Sequence, residues 1–424
     1  MVIGGGIIRQ YLPSLVATFF VVAAGFGGPA MVADSNYYID MALGHRRTVP
    51  APFSQRVAYP TIAGWLHHAG LPISMSFALL GVLALAVFCV AIRVLLRDLP
   101  GIAVIALLVL PFVIDAYRDA YLPDLAFAAL LACFLIVLRA RLAWWVPLLL
   151  VPLVLVRESI LAVCVVLAIV AWRRSNRELA GAAAVALIAS YGVSTMAGIG
   201  GAPSRHNVGG PLYLLGKIPY NGVKNLTGFE FATNDLSECG TVTQFHLPFS
   251  IGNIDSVGLC PFNVFFPAWT LSLWLALFGL GPALLLACLR HPRNGGERPI
   301  WLQVALWSGL LTYLAAPLLG SSVDRLVAYG WPAFLVVMPL LLFDRSARRD
   351  PSLIVGASFA LAWVPTVLGW FLSPVTTAVV TVIIAAPAQV LGYRWTCARL
   401  ATENSAQPAA PADRLTGSDA DKSG

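Results

Sequence analysis

The chain reads as an all-α, polytopic transmembrane helix bundle of about twelve helices enclosing an outward-facing cavity. Three observations predict this class. Of 424 residues, 59% are hydrophobic and 11% charged, with a mean hydropathy of +0.81; soluble domains carry about 25% charged residues. The apolar residues gather into long runs. Most of the arginines fall between those runs and on alternating sides of them.

The runs occupy 11–33, 73–92, 99–114, 122–138, 143–156, 159–172, 179–197, 267–289, 300–319, 326–343, 352–371 and 374–392. The first is too long for the apolar core of a signal peptide and leads straight into a polar loop, so no cleavable signal is expected. The runs 143–156 and 159–172 are short against the roughly 20 residues of a spanning helix, and together they also read as one tilted helix. Charge favours two segments meeting at Arg157-Glu158. With that choice, sixteen arginines fall on one side (Arg9, Arg93, Arg97, Arg139, Arg141, Arg173, Arg174, Arg177, Arg290, Arg293, Arg298, Arg345, Arg348, Arg349, Arg394 and Arg399). Six lie in short segments opposite: Arg46, Arg47, Arg56, Arg118, Arg157 and Arg325. Positive charge marks the cytoplasmic side, so both termini are expected there. A net charge of +7 carried by short loops points to membrane lipids as partners, not nucleic acid.

Residues 1–400 form the transmembrane part, with outer loops at 34–72 and 198–266. The polar, Pro/Ala-rich segment 401–424 reads as a disordered cytoplasmic tail. The loop from Gly198 to Pro267 is rich in Gly, Asn, Pro and Thr and is expected to form turns and short elements. It holds Cys239 and Cys260. An outward compartment permits a bridge between them, closing a loop of about 20 residues for roughly 3 kcal/mol; two free thiols are the other reading. Cys89, Cys133, Cys164 and Cys288 lie inside apolar runs and read as packing residues. Asn225-Leu-Thr227 matches a glycosylation triplet, one that recurs by chance.

Acidic residues are few and sit at the ends of runs: Asp34 and Asp40, then Asp115, Asp119 and Asp124, then Glu158, then Asp324. Each has an arginine near it in sequence. Arg157-Glu158 interrupts LLLVPLVLVRESILAVCVVLAIV, where a charge in lipid costs at least about 2.5 kcal/mol. These side chains therefore need a polar cavity or each other. A cavity lined by carboxylates and arginines suits an anionic substrate. Plainer roles stay open: Asp34 as a helix cap, Arg56 bridging Asp34 or Asp40, Asp115 and Asp119 pinning a turn with Arg118, and Arg325 as an interfacial anchor. No nucleophile elbow, zincin motif, phosphate loop or C-x-x-C is present. His67 and His68 are adjacent and do not share a helical face, which disfavours a metal pair.

The stretch DSNYYIDMALGHRRTVPAPFSQRVAYP, residues 34–60, places an Asp at the end of the first run. It continues through Tyr37, Tyr38 and Gly44 to Pro52-Phe53-x-x-Arg56-x-x-x-Pro60. With Pro123-Asp124, Val156-Arg157-Glu158-Ser159 and Asp324-Arg325 with Pro332, it resembles the bacterial GT-C membrane glycosyltransferases. The resemblance extends over about residues 11–345. It implies a GT-C-like bundle in the bacterial inner (plasma) membrane and an inverting hexosyl- or pentosyltransferase. The partners would be a polyprenyl-phosphate-linked sugar and a lipid or glycan acceptor. It assigns the base to Asp34. Arg56, Arg157 and Arg325 would clamp the donor phosphate, Glu158 would orient Arg157, and Tyr37 and Tyr38 would stack on the sugar. Asp124 joins the substrate-binding set. Many members carry a paired acidic motif or a large soluble C-terminal domain. This chain has neither an acidic neighbour beside Asp34 nor such a domain, so no cofactor is assigned and a divalent metal is left open. A transporter or flippase, and a polymerase of lipid-linked glycans, are the rival readings.

Overall fold

The computed structural model describes residues 3–25, 29–50, 52–199, 211–233, 243–251, 254–291, 298–320, 322–345 and 352–405. These fold almost entirely into helices. Five are long and apolar enough to cross a membrane: Ile73–Leu95, Arg177–Ala197, Ile300–Leu319, Val323–Phe343 and Pro374–Thr402. Two bent pairs raise this to seven if each is one span: Gly101–Leu108 with Pro111–Arg118, bent by 52°, and Phe265–Ala276 with Gly281–Arg290, bent by 60°. Shorter apolar helices include Trp145–Val154 and Ile160–Arg173, so residues 143–172 form two helices and not one. Large apolar side chains stand open on the outside, Phe19 at 76%, Ile188 at 73% and Trp172 at 77% exposure. Isolated exposed hydrophobics are ordinary, but this many on apolar helices, short and long, indicate a lipid-facing surface.

The bends have chemical causes. Pro111 cannot continue the hydrogen-bond ladder of Gly101–Leu108, and it starts the next helix at its first position. At the other bend Gly279 adopts φ +56°, and a Cβ there would lie 1.8 Å from the Ser358 carbonyl oxygen. The backbone freed at that bend is satisfied from outside, as an apolar setting demands. Gln389 Nε2 donates to the carbonyls of Leu275 (2.6 Å) and Gly279 (2.7 Å), and its Oε1 accepts from Ala283 N (3.0 Å). Ser358 Oγ accepts from Leu280 N at 2.9 Å. Gly279→Ala should therefore destabilise the protein by at least about 2 kcal/mol, combining a left-handed backbone with a backbone clash. Denaturation of the purified variant in detergent checks this; an unchanged midpoint would mean the bend is not fixed by Gly279.

The region 198–266 departs from its sequence reading in one respect. It contains the helix Pro211–Thr227, where the Gly and Pro content suggested turns. Docking outweighs propensity there: Asn225 Nδ2 donates to the carbonyls of Pro317 (2.8 Å) and Gly320 (3.0 Å). Asn225 is 2% exposed, so the glycosylation triplet is a buried structural contact. Three short strands follow, β1 (Phe231–Thr233), β2 (Thr243–Ile251) and β3 (Ile254–Leu259), antiparallel in the order β1-β3-β2. Cys260, just past β3, is buried and disulfide-bonded; Cys239 lies outside the described residues. Mapping of unreduced peptides should recover Cys239 linked to Cys260, and both thiols free in protein from its native membrane would refute the pairing. The last helix runs on to Ser405, past the expected boundary at 400, and the rest of the tail, 406–424, lies outside the described residues.

A small second core fixes the first polar loop. Tyr38, Met41, Val49, Tyr59, Phe77 and Tyr121 pack together, tying the helices Ser35–Ala42 and Ala58–His68 onto Ile73–Leu95. Tyr59 Oη donates to the Ala120 carbonyl at 2.6 Å, and Ala58 N donates to the Leu155 carbonyl at 3.1 Å. These two bonds hold the loop against the turn before Asp124 and the break that carries Arg157 and Glu158.

Candidate functional site

Asp34 occupies the residue before the helix Ser35–Ala42, but its side chain makes no cap hydrogen bond. Its Oδ2 instead accepts from Arg325 Nη1 at 3.0 Å. Arg325 lies in the short helix Val323–Ala328 and spends a second nitrogen, Nε, on Asp124 Oδ2 at 2.8 Å. Asp124 begins the helix Asp124–Arg139, where the helix dipole favours a carboxylate. Its Oδ1 takes the Tyr329 hydroxyl and pairs with Arg157 Nη1. The Arg157 guanidinium also lies 4.5 Å from the centre of the Tyr329 ring. Arg325 thus joins Asp34, 291 positions before it in the chain, to Asp124, 201 positions before it.

A second ion pair abuts the first through the Arg157-Glu158 peptide. Arg56 grips Glu158 with two nitrogens, Nε at 2.7 Å from Oε2 and Nη2 on Oε1. Its Nη1 donates to the Tyr38 hydroxyl at 2.9 Å, and its guanidinium sits 5.3 Å from the Phe53 ring centre. This bidentate geometry suits arginine and would be lost with lysine. Burial alone would push the Glu158 carboxyl up, but the charge and hydrogen bonds of Arg56, with Arg157 behind it, hold it down at about 2. Arg56 is raised despite its burial, through Glu158 first and then Tyr38.

Next to the Asp34–Arg325–Asp124 chain lies a cavity of about 380 Å³. Its walls are mainly apolar, with Phe88, Trp269 and Leu273 among them. Asp115, Asp119, Asp124, Asp324 and Arg325 gather the charge on its lining. The size suits a small organic headgroup or part of a lipid chain.

The structure brings Asp34, Arg325, Asp124, Arg157, Glu158, Arg56 and Tyr38 into one connected region, but several assigned partners change. Glu158 pairs with Arg56 and not with its neighbour Arg157, because successive side chains leave the chain in different directions. Arg56 bridges Glu158 and neither Asp34 nor Asp40. Arg56 and Arg157 are 6–7% exposed and spent on carboxylates, so of the three clamp arginines Arg325 alone lines the cavity. Tyr38 is fully buried and bonded to Arg56, which removes it as a sugar platform. Tyr37 stacks on Phe53 with ring centres 4.7 Å apart. Sequence reasoning missed Tyr329. The available signal was its position four residues after Arg325, which puts both on one helical face. It also read Asp115, Asp119 and Asp324 as outer-loop charges without placing them on a common cavity.

No family model, curated protein or solved structure matches the chain. Among the described residues no three or more His, Cys, Asp or Glu side chains are grouped to hold a metal ion.

Proposed function

We propose that the chain is a GT-C-type membrane glycosyltransferase, moving a sugar from a polyprenyl-phosphate donor to a lipid or glycan acceptor with inversion. The observation that carries this reading is Arg325, shared between Asp34 and Asp124 at the charged end of an apolar-walled cavity. Such a cavity suits a lipid-linked donor, with the chain against the apolar walls and the phosphate at Arg325. A departing phosphate needs a fixed cation, and a guanidinium already aligned by two carboxylates loses little freedom in meeting it. Asp34 takes the acceptor's proton as the acceptor oxygen attacks the anomeric carbon and the bond to phosphate breaks. Asp124, Arg157 and Tyr329 hold Arg325 in place. Arg56 and Glu158 lock the first loop that carries Asp34.

In the same reading the bundle crosses a bacterial inner membrane about twelve times, counting the short helices, with both termini cytoplasmic. Externally added thiol reagent should label Asp255→Cys and spare Gly295→Cys in intact cells; the reverse pattern would overturn the orientation. The deciding experiment is an assay of purified protein against a panel of polyprenyl-phosphate sugars with membrane lipids and glycans as acceptors. Transfer from at least one donor is expected. Failure across the panel by folded protein would sink the reading.

A further inference from the structure

The helix Pro211–Thr227 is packed with its polarity reversed. In water a surface helix turns its apolar side inward and its polar side out. Here Asn221 and Asn225 are buried against the bundle together with Gly222. The outward side carries Pro219, Tyr220, Val223 and Leu226. Past the helix end the apolar surface continues in Phe229 and Phe262, exposed and in contact with ring centres 5.5 Å apart, and then in exposed Val264. The polar groups among these residues are met within the chain. Thr227 Oγ1 donates to the Val223 carbonyl at 2.6 Å, and Tyr220 Oη to Glu230 Oε1 at 3.3 Å. Lys224 Nζ pairs with the same carboxylate and lies 4.5 Å from the centre of the Phe266 ring. Asn263 Oδ1 accepts from Phe265 N at 3.0 Å. A surface that satisfies its own polar groups and turns apolar side chains outward suits lipid better than water.

Two contacts fix the height of this surface. Asn225 bonds the carbonyls of Pro317 and Gly320, at the end of the apolar helix Ile300–Leu319. A Cβ at Gly222 would lie 2.8 Å from Leu318 Cδ2, so the helix rests directly on that last turn. On the other side, Phe262 stands just before the apolar helix Phe265–Ala276. The patch is thus continuous with the lipid-facing surface and lies where two spans reach the membrane boundary. We propose that the C-terminal half of Pro211–Thr227, with Phe229 and Phe262, is embedded in the headgroup–acyl boundary of the bilayer as an interfacial anchor. Amphipathic helices and aromatic rings concentrate at that depth. Through Asn225 the anchor ties the bilayer surface to Gly320, just ahead of the helix Val323–Ala328 that carries Arg325. It therefore sets the height of Arg325 against the lipid headgroups. The anchor holds whether or not the chain transfers sugar, and its test reads no turnover.

The test places the photoreactive residue p-benzoylphenylalanine at Leu226 or Phe262 in the full chain, one position per protein. Ile188, 73% exposed on the apolar helix Arg177–Ala197, serves as the lipid-facing reference, and Ser418 in the polar tail as the aqueous one. Each protein is irradiated in phosphatidylcholine nanodiscs, and the share carrying the mass of one lipid is read by intact mass spectrometry. Both replaced side chains are exposed, and a thermal midpoint equal to that of the unmodified protein reports an intact fold. Lipid adducts at Leu226 and Phe262 should exceed those at Ser418 by about tenfold or more and approach those at Ile188, as continuous contact with the acyl boundary requires. A yield at either position no higher than at Ser418 would overturn the proposal, because that face would then lie in water. The same proteins irradiated in their native membranes decide against a protein occupant. Lipid adducts there support the anchor, and a crosslinked pair of chains as the main product would make the face a contact between copies and overturn it.

Discussion

Asp34→Asn is expected to lower sugar transfer by about 10²- to 10⁴-fold while the donor still binds, the loss typical of removing a general base. The substitution keeps the shape of the side chain and takes away its charge and proton affinity. It does not leave Arg325 stranded, because the bond to Asp124 at 2.8 Å remains. Asp34 is 27% exposed on its side chain and forms no helix cap, so the change in stability should be small. Asp124→Asn makes a useful contrast. It removes the partner common to Arg157, Arg325 and Tyr329, so stability and donor binding should fall together with rate. Donor affinity and turnover measured on the same preparations separate the two. Folded Asp34→Asn protein that transfers sugar at the original rate would show that the base lies elsewhere.

How much of this region was legible in the sequence depends on the physics behind each part. Charged residues are so costly in lipid that Asp34, Arg56, Asp124, Arg157, Glu158 and Arg325 stood out from an apolar background. Their convergence was legible for the same reason, since each sits at the end or break of an apolar run. Partner choice was not. Arg56 and Glu158 are 102 positions apart, and what joins them is the packing of Tyr38, Tyr59 and Phe77 and the bond from Ala58 to Leu155. None of these contacts leaves a local pattern. Most hydropathy runs correspond to helices, though the first, 11–33, is helical only to Ala24, and hydropathy does not report the bend at Gly279, nor that Gln389, 110 positions on, satisfies it. The helix Pro211–Thr227 was hidden because Gly, Asn and Pro content reads as turns, and the docking of Asn225 on the Pro317 and Gly320 carbonyls leaves no local pattern.

The Arg56–Glu158 pair should prove the most stabilising single ion pair in the first loop. Arg56→Met leaves Glu158 facing Arg157 without its bidentate partner, and Glu158→Met leaves a guanidinium buried against Tyr38 and Phe53. Breaking a buried pair from one side costs about 3–5 kcal/mol; the lower end applies here because the Glu158 side chain is 33% exposed. The double substitution removes both charges and fills the space, so it should cost less than the sum of the singles by about 2 kcal/mol. Arg56→Lys should recover part of the loss, since a single ammonium cannot reproduce the fork. Acid supplies an independent check. Glu158 is depressed from 4.5 to about 2 in the fold, so its contribution is fully present above pH 4.5. That stability is lost as pH falls toward 2 and the native carboxylate takes a proton. The Arg56→Met protein should lack this component of acid sensitivity. Additive single substitutions, or identical acid profiles for the two proteins, would show that Arg56 and Glu158 meet without stabilising the loop that carries Asp34.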